Sequence, residues 1–172
     1  MSFNITTGSI DQFRRSVPLA DASIANPNAT LPLLDGEFLI NTASGYARLT
    51  ASTSNDVDLT LAQGKPVPVF SQSGDTAVQA LDKVSVIDSG PDFRVRTDVY
   101  QTDGKSLGDY AVTTKLTITA PDADGSDPHA GRSVLAPAAS GDPVVGVVEV
   151  APTVLGGDMQ VRINNAVPVA AP

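Results

Sequence analysis

The chain has 172 residues, a formal charge of −8 and no cysteine. One domain is therefore expected, disulfides and thiolate metal sites are excluded, and nucleic-acid binding is disfavoured because the eleven Lys and Arg are scattered along the chain. Aromatic residues make up only 5% of the chain, whereas 14 Gly and 13 Pro are typical of a turn-rich β protein.

Residues 1–34 are predicted to form an extended N-terminal arm. Ser9, with Gln12 three residues later, resembles a capping box, so residues 10–15 are expected to form a short helix that Pro18 limits. The residues that follow are rich in Pro, which favours extended backbone, and their apolar positions have no strict period. We expect such a segment to bury little against itself and to lie along a surface, its own or that of a neighbouring chain.

Residues 35–165 are predicted to form the β domain, and residues 166–172 an extended C-terminal tail. Short strands are expected at residues 37–40, 46–49, 57–61, 67–70, 76–81, 83–87, 93–100, 110–119 and 133–135. The strand at 67–70 lies among prolines and is expected at a sheet edge or a strand start. Regularly spaced strands predict an all-β fold, a small β-barrel or sandwich of mostly antiparallel strands.

Residues 141–163 are predicted to form the hairpin that closes this domain. The near-continuous apolar run from Val144 to Val150 predicts a strand buried on both faces. The turn Gly156-Gly157-Asp158 separates this run from the alternating residues 159–163.

Sequence patterns of catalysis are few. Gly104-Lys105-Ser106 is an ordinary turn and not a phosphate-binding loop, because Val99 stands where the first glycine of that motif belongs. The single histidine, His129, lies in a predicted loop without a nucleophile beside it, and we expect it to be solvated.

The cluster Asp122, Asp124 and Asp127 raises the question of a calcium site. The EF-hand pattern fails, because Asp127 stands at the glycine position and Ser133 at the position of the bidentate glutamate. A charged, solvated loop is favoured, and we predict no enzymatic activity, no cofactor and no metal.

Binding to a partner is instead expected of the arm. Arg14-Arg15 is either a solvated helix end or a docking site for an acidic partner, and Phe3 and Phe13 either anchor in a neighbour's pocket or cover the chain's own barrel. The predicted partner-binding residues are Phe3, Ile10, Phe13, Arg14, Arg15, Val17, Leu19 and Ile24.

Four phrases carry a resemblance to a known family. They are KPVPVFSQSGDTAVQALDKVSVIDSGPDFRVRTDVY, GDYAVTTKLTIT, SVLAPAASGDPVVGVVEVAP and GGDMQVRI. The chain resembles the capsid decoration (cement, or head-stabilising) proteins of tailed bacteriophages over residues 32–164, most closely over residues 134–163.

The resemblance implies a virion structural protein, made in the host cytoplasm, that stabilises an icosahedral capsid from its outer surface. Its implied partners are the major capsid protein, bound between its subunits, and further copies of itself, with a homotrimer favoured over a dimer. No nucleic acid and no membrane are expected as partners, because the chain is acidic and lacks a span of ~20 apolar residues. The alternative is a β-rich head-fibre or adhesin-type module that recognises a surface glycan.

Overall fold

The structure, a computed structural model, describes residues 3–7, 14–25, 29–34, 36–49, 59–68, 79–87, 94–120, 126–163 and 169–170. The strands in these ranges are β1 (Phe3–Thr7), β2 (Arg14–Pro18), β3 (Phe38–Thr42), β4 (Gly45–Ala47), β5 (Leu59–Pro68), β6 (Gln79–Ile87), β7 (Arg94–Thr97), β8 (Lys115–Thr119), β9 (Val134–Pro137), β10 (Pro143–Val144), β11 (Gly146–Val150), β12 (Met159–Ile163) and β13 (Val169–Ala170). Two short 3₁₀ helices, Ala22–Ala25 and Leu107–Tyr110, complete the described elements. The prediction of an all-β fold is confirmed.

The larger sheet has six strands in the order β1-β7-β12-β11-β8-β9, and every pair in it is antiparallel. The predicted hairpin is confirmed, since β11 and β12 pair directly across the turn at Gly156-Gly157-Asp158. The expectation that its first strand is buried on both faces is wrong. Val148 is buried, but Val147 is half-buried and Val150 is 54% exposed, so β11 alternates between a core face and an outer face.

The second sheet has five strands in the order β2-β6-β5-β3-β4. Residues 59–61 and 67–68, predicted to lie in two strands, belong to the single long strand β5, and the strands predicted at 76–81 and 83–87 overlap the single strand β6. Pro66 and Pro68 pair with β6 after two register shifts, whereas β3 pairs only with residues 59–61. Among the described strands, the half of β5 that contains the prolines therefore has a neighbouring strand on one side only. This suits proline, which has no N–H to donate to a second neighbour.

The two sheets share one apolar core. Phe38, from the five-stranded sheet, is 1% exposed and packs in the cluster formed by the inner face of the six-stranded sheet, which includes Val95, Leu116 and Val161. The shared core favours two layers packed face to face, and the described strands form no closed barrel.

The N-terminal segment differs from the arm that was predicted. β1 forms one edge of the six-stranded sheet and β2 one edge of the other, so this segment contributes a strand to each. Arg14 and Arg15 begin β2 and are not helical, while residues 8–13 lie outside the described ranges.

The same segment also contributes to the core. Val17 and Leu19 are buried at 3% and 7% exposure, in a cluster with Leu33, Leu39 and Tyr46. Of the two surfaces expected for this segment, its own and that of a neighbouring chain, Val17 and Leu19 therefore lie on the chain's own. The chain passes so close to Gly45 that a Cβ there would lie 3.0 Å from three backbone atoms of residues 18–20.

A buried carboxylate holds residues 31–34 in place. Glu37 is 0% exposed, and both its oxygens accept hydrogen bonds from the guanidinium of Arg48, while Arg132 lies 3.2 Å from Oε2. The two guanidinium groups also donate to the carbonyls of Leu31 and Pro32. Burial lowers the pKa of Arg132, and the charge of Glu37 opposes this shift. In this group, which we call the Glu37 clamp, the hydrogen bonds replace hydration that the buried Glu37 and Arg132 and the half-buried Arg48 have lost.

Candidate functional site

The outer face of the six-stranded sheet carries two rows of side chains that run across neighbouring strands. The first row joins Arg94, Arg162, Val147 and Lys115 on β7, β12, β11 and β8, because each is the backbone partner of the next. Partners in an antiparallel pair project to the same side of the sheet. The flanking row through Gly146, Ile163 and Leu116 is buried, so the row with the cations faces outward.

The second row joins Arg96, Gln160 and Val150 in the same way. A β-bulge between Val148 and Val150 adds one residue to β11, and that residue is Glu149. A bulge re-aims the side chain it inserts. Glu149 is thereby placed among the arginines of the outer face.

Glu149 neutralises part of this charge. Its Oε2 accepts hydrogen bonds from Arg94 Nε at 2.7 Å and Gln160 Nε2 at 3.2 Å, and its Oε1 lies 3.7 Å from Arg162 Nε. Burial raises the pKa of Glu149, but the hydrogen bonds from Arg94 and Gln160 and the charges of Arg94 and Arg162 outweigh it, so the pKa is lowered.

We call this surface the cationic face; its charged residues are Arg94, Arg96, Lys115, Glu149, Asp158 and Arg162. Asp158 pairs with Arg96 at 3.0 Å. Four cations and two carboxylates give these described residues a net charge of +2, on a chain whose total is −8. The cationic face is thus opposite in sign to the rest of the molecule.

Exposed apolar side chains adjoin the cationic face. Leu107, Val112, Val150, Val154 and Leu155 are 38–62% exposed, and we call them the apolar rim. They lie on two loops, residues 101–114 and 151–158, and on the end of β11 between them. Val150 lines the same cleft as Arg96 and Asp158, so at this point the apolar rim borders the cationic face.

Two tyrosines hold these loops together. The Tyr100 hydroxyl accepts a hydrogen bond from Gly156 N and donates one to Gly157 O, both at 2.9 Å. Its ring packs on that of Tyr110, with centroids 4.6 Å apart, and the Tyr110 hydroxyl donates to the carbonyl of Gln101. Burial raises the pKa of both phenols, so both stay protonated. The apolar rim is therefore presented by tethered loops.

Backbone strain occurs at one point of this rim. Thr113 has φ of 77°, the only positive value among the described residues other than glycine. A β-branched residue is disfavoured there by roughly 1–2 kcal/mol. Its N–H donates to Val148 O at 2.8 Å, and this bond to β11 holds the turn that exposes Val112. Strain of this kind clusters at binding sites.

A cleft of about 330 Å³ is lined by residues of both the cationic face and the apolar rim. The side chains of Arg96 and Asp158 form one part of its lining, and Val150, Ala151 and Thr153 form another. The cleft thus combines a charged wall with an apolar one, and it is large enough to receive a side chain of a partner.

The loop that contains Asp127 and His129 has a structural role. Asp127 is 5% exposed, and its Oδ2 accepts hydrogen bonds from the backbone N–H groups of Thr102 and Asp103 at 2.6 and 2.9 Å. His129 is 3% exposed, with Nε2 3.0 Å from Asp98 O. The prediction of a solvated loop is wrong for both residues; Asp122 and Asp124 lie outside the described ranges.

Among the predicted partner-binding residues, side-chain burial is described for Val17, Leu19 and Ile24. Val17 and Leu19 are buried in the chain's own core, and Ile24 packs partly buried against them, so this fold does not offer Val17 or Leu19 to a partner. Phe3, Arg14 and Arg15 lie on edge strands that pair with β7 and β6, and Ile10 and Phe13 lie outside the described residues. A binding role for these other residues stays a prediction.

No group of three or more His, Asp or Glu side chains within the described ranges is placed to hold a metal ion, and no helix in those ranges could cross a bilayer. The aromatic side chains whose burial is described, Phe38, Tyr46, Tyr100 and Tyr110, expose at most 4% of their area.

Comparison of the chain with protein-family models, with curated proteins and with solved structures finds no match.

Sequence reasoning missed the cationic face, although a signal for it was present. Arg94 and Arg96 alternate with Val95, and Arg162 follows Val161 in the same phase, which places arginines on the polar side of two strands. What the sequence does not display is that these two strands are neighbours.

Proposed function

We propose that this chain is a virion structural protein, which decorates an icosahedral phage capsid and stabilises it from the outer surface, between major capsid subunits. The observation that carries the proposal is the combination of the cationic face with the apolar rim. Both belong to an all-β domain, and both are made of groups that bind protein surfaces. The resemblance of residues 32–164 to capsid decoration proteins is the reason why the proposed partner surface is a phage capsid.

The proposed attachment does not depend on an N-terminal arm. Because β1 and β2 pair within the chain, attachment is assigned to the face of the folded domain. Affinity per copy would then be modest, and strength would come from many copies on one shell.

The test is binding to shells. Purified chain is incubated with DNA-free, expanded heads assembled from the major capsid protein encoded in the same genome, then sedimented. Saturable binding and a higher disruption temperature of the heads are expected. Failure to bind, or binding to cells or glycans with no effect on heads, would contradict the proposal and favour the adhesin-type alternative.

A further inference from the structure

The charge on the described outer face limits the chemistry of whatever binds there. The six charged residues named above carry +2, whereas the whole chain carries −8. A partner with carboxylates at its surface would be attracted to the cationic face, and the acidic remainder of the chain would repel it. Its orientation would therefore be selected before contact.

Arg96 and Arg162 can exchange their present ion pairs for a partner's carboxylates with little loss of folding free energy. The pair Arg96–Asp158 joins side chains that are 60% and 28% exposed, and Arg162 and Glu149 are 48% and 25% exposed at a separation of 3.7 Å. Pairs this exposed contribute little to stability, because water and salt screen them. Glu149 contacts both Arg94 and Arg162.

The apolar rim and the cleft add contact area to this charge. Val150 lines the cleft beside Arg96 and belongs to the rim, so the cleft is continuous with both surfaces. Protein interfaces combine apolar contacts with charged and hydrogen-bonding groups. The matching partner surface is one with carboxylates beside an apolar projection that enters the cleft.

We propose that the cationic face and the apolar rim together form the docking surface for a carboxylate-bearing face of a partner protein. This inference rests on the proposed function, which makes that partner the outer surface of the capsid shell. A second copy meeting this face with the same face would oppose like charges, so symmetric pairing of two copies through it is disfavoured.

The experiment compares variants for binding to expanded heads at increasing salt concentration. The double variant Arg162→Gln with Lys115→Gln removes two exposed cations from the first row. The matched control is Lys83→Gln, on β6 of the five-stranded sheet, which carries neither row and no residue of the apolar rim. A third variant, Val154→Ser, removes an apolar rim contact at a side chain that is 62% exposed.

We expect the double variant to bind about tenfold more weakly near physiological salt, mainly through a slower association rate. Its affinity should also depend less on salt than that of the unmodified chain, since fewer charges remain to be screened. Val154→Ser should weaken binding severalfold without changing the salt dependence, and Lys83→Gln should match the unmodified chain. Denaturant unfolding of each variant confirms that it is folded.

The outcomes separate the two proposals. If the unmodified chain fails to bind heads, the proposed function fails. If it binds and the folded double variant binds equally well with the same salt dependence, only the docking surface is overturned. Loss of self-association in the double variant with unchanged binding to heads would assign the face to contacts between copies, and would also overturn the inference.

Discussion

Replacement of Glu37 by Gln tests how the N-terminal segment is joined to the domain. The side chain is fully buried and is the shared partner of Arg48 and Arg132, so the substitution keeps its shape but removes the counter-charge of two guanidinium groups. Removing one partner of a buried ion pair costs about 3–5 kcal/mol, because the remaining charge is left without a counter-charge. In a domain of this size, a cost of that order corresponds to a fall in Tm of roughly 10 °C.

The assay is urea unfolding of the full chain, followed by limited proteolysis. We also expect faster cleavage within residues 29–34, because the carbonyls of Leu31 and Pro32 accept from the same two guanidinium groups. The control is Arg96→Gln, which removes an exposed pair and should cost less than about 1 kcal/mol. Equal, small losses in the two variants would refute the reasoning that the Glu37 clamp holds this segment.

Three further predictions concern the candidate surface. The pKa of Glu149 is lowered, so its charged form stabilises the fold above about pH 4.3, and this contribution is lost as the pH falls through the lowered pKa. Arg94→Met should raise the pKa of Glu149, measured by a carbon-13 NMR titration. An unchanged pKa would argue against the Arg94–Glu149 pair. Thr113→Asn should raise the free energy of unfolding by about 0.5–1 kcal/mol, because Asn tolerates a positive φ better than Thr does. Chemical denaturation measures this change, and a lower free energy of unfolding in the variant would contradict the claim that the backbone of Thr113 is strained. Tyr100→Phe should cost about 1–3 kcal/mol and speed hydrogen exchange at the Gly156 amide; exchange as slow as in the unmodified chain would show that the hydroxyl does not tether the loop.

The all-β class and the hairpin of β11 and β12 could be predicted, because both depend on local signals. Alternation of Met159, Val161 and Ile163 with polar residues defines a strand, and Gly156 with φ of 81° permits the turn before it. A further local signal was present but overlooked. Ser106 and Asp109 form a capping box that starts the helix Leu107–Tyr110, and the predicted strand at 110–119 therefore begins only at Lys115.

Errors arose where distant residues decide the structure. Prolines near Val17 and Leu19 favour extended backbone, but whether an extended segment is an arm or an edge strand depends on which sheet has a free edge. Burial of His129 and Asp127 depends on loops some 25–30 residues earlier in the chain, which supply Asp98 and Thr102. The cationic face has the same origin, since its rows form only when β7, β12, β11 and β8 lie side by side.

The same strand pairing changes the expected result of a truncation. Removing residues 1–30 would delete β1, β2 and the buried side chains Val17 and Leu19. We therefore expect loss of stability and not only loss of binding, so point variants on the outer face are the cleaner probe of attachment.

The central claim, that this domain attaches to a capsid shell through its cationic face, is tested most directly by electron cryomicroscopy of expanded heads saturated with the chain. The account predicts added density on the outer surface between capsid subunits, into which the domain fits with Arg94, Arg96 and Arg162 turned toward the shell. Heads without added density, or a domain whose cationic face points to solvent, would contradict it.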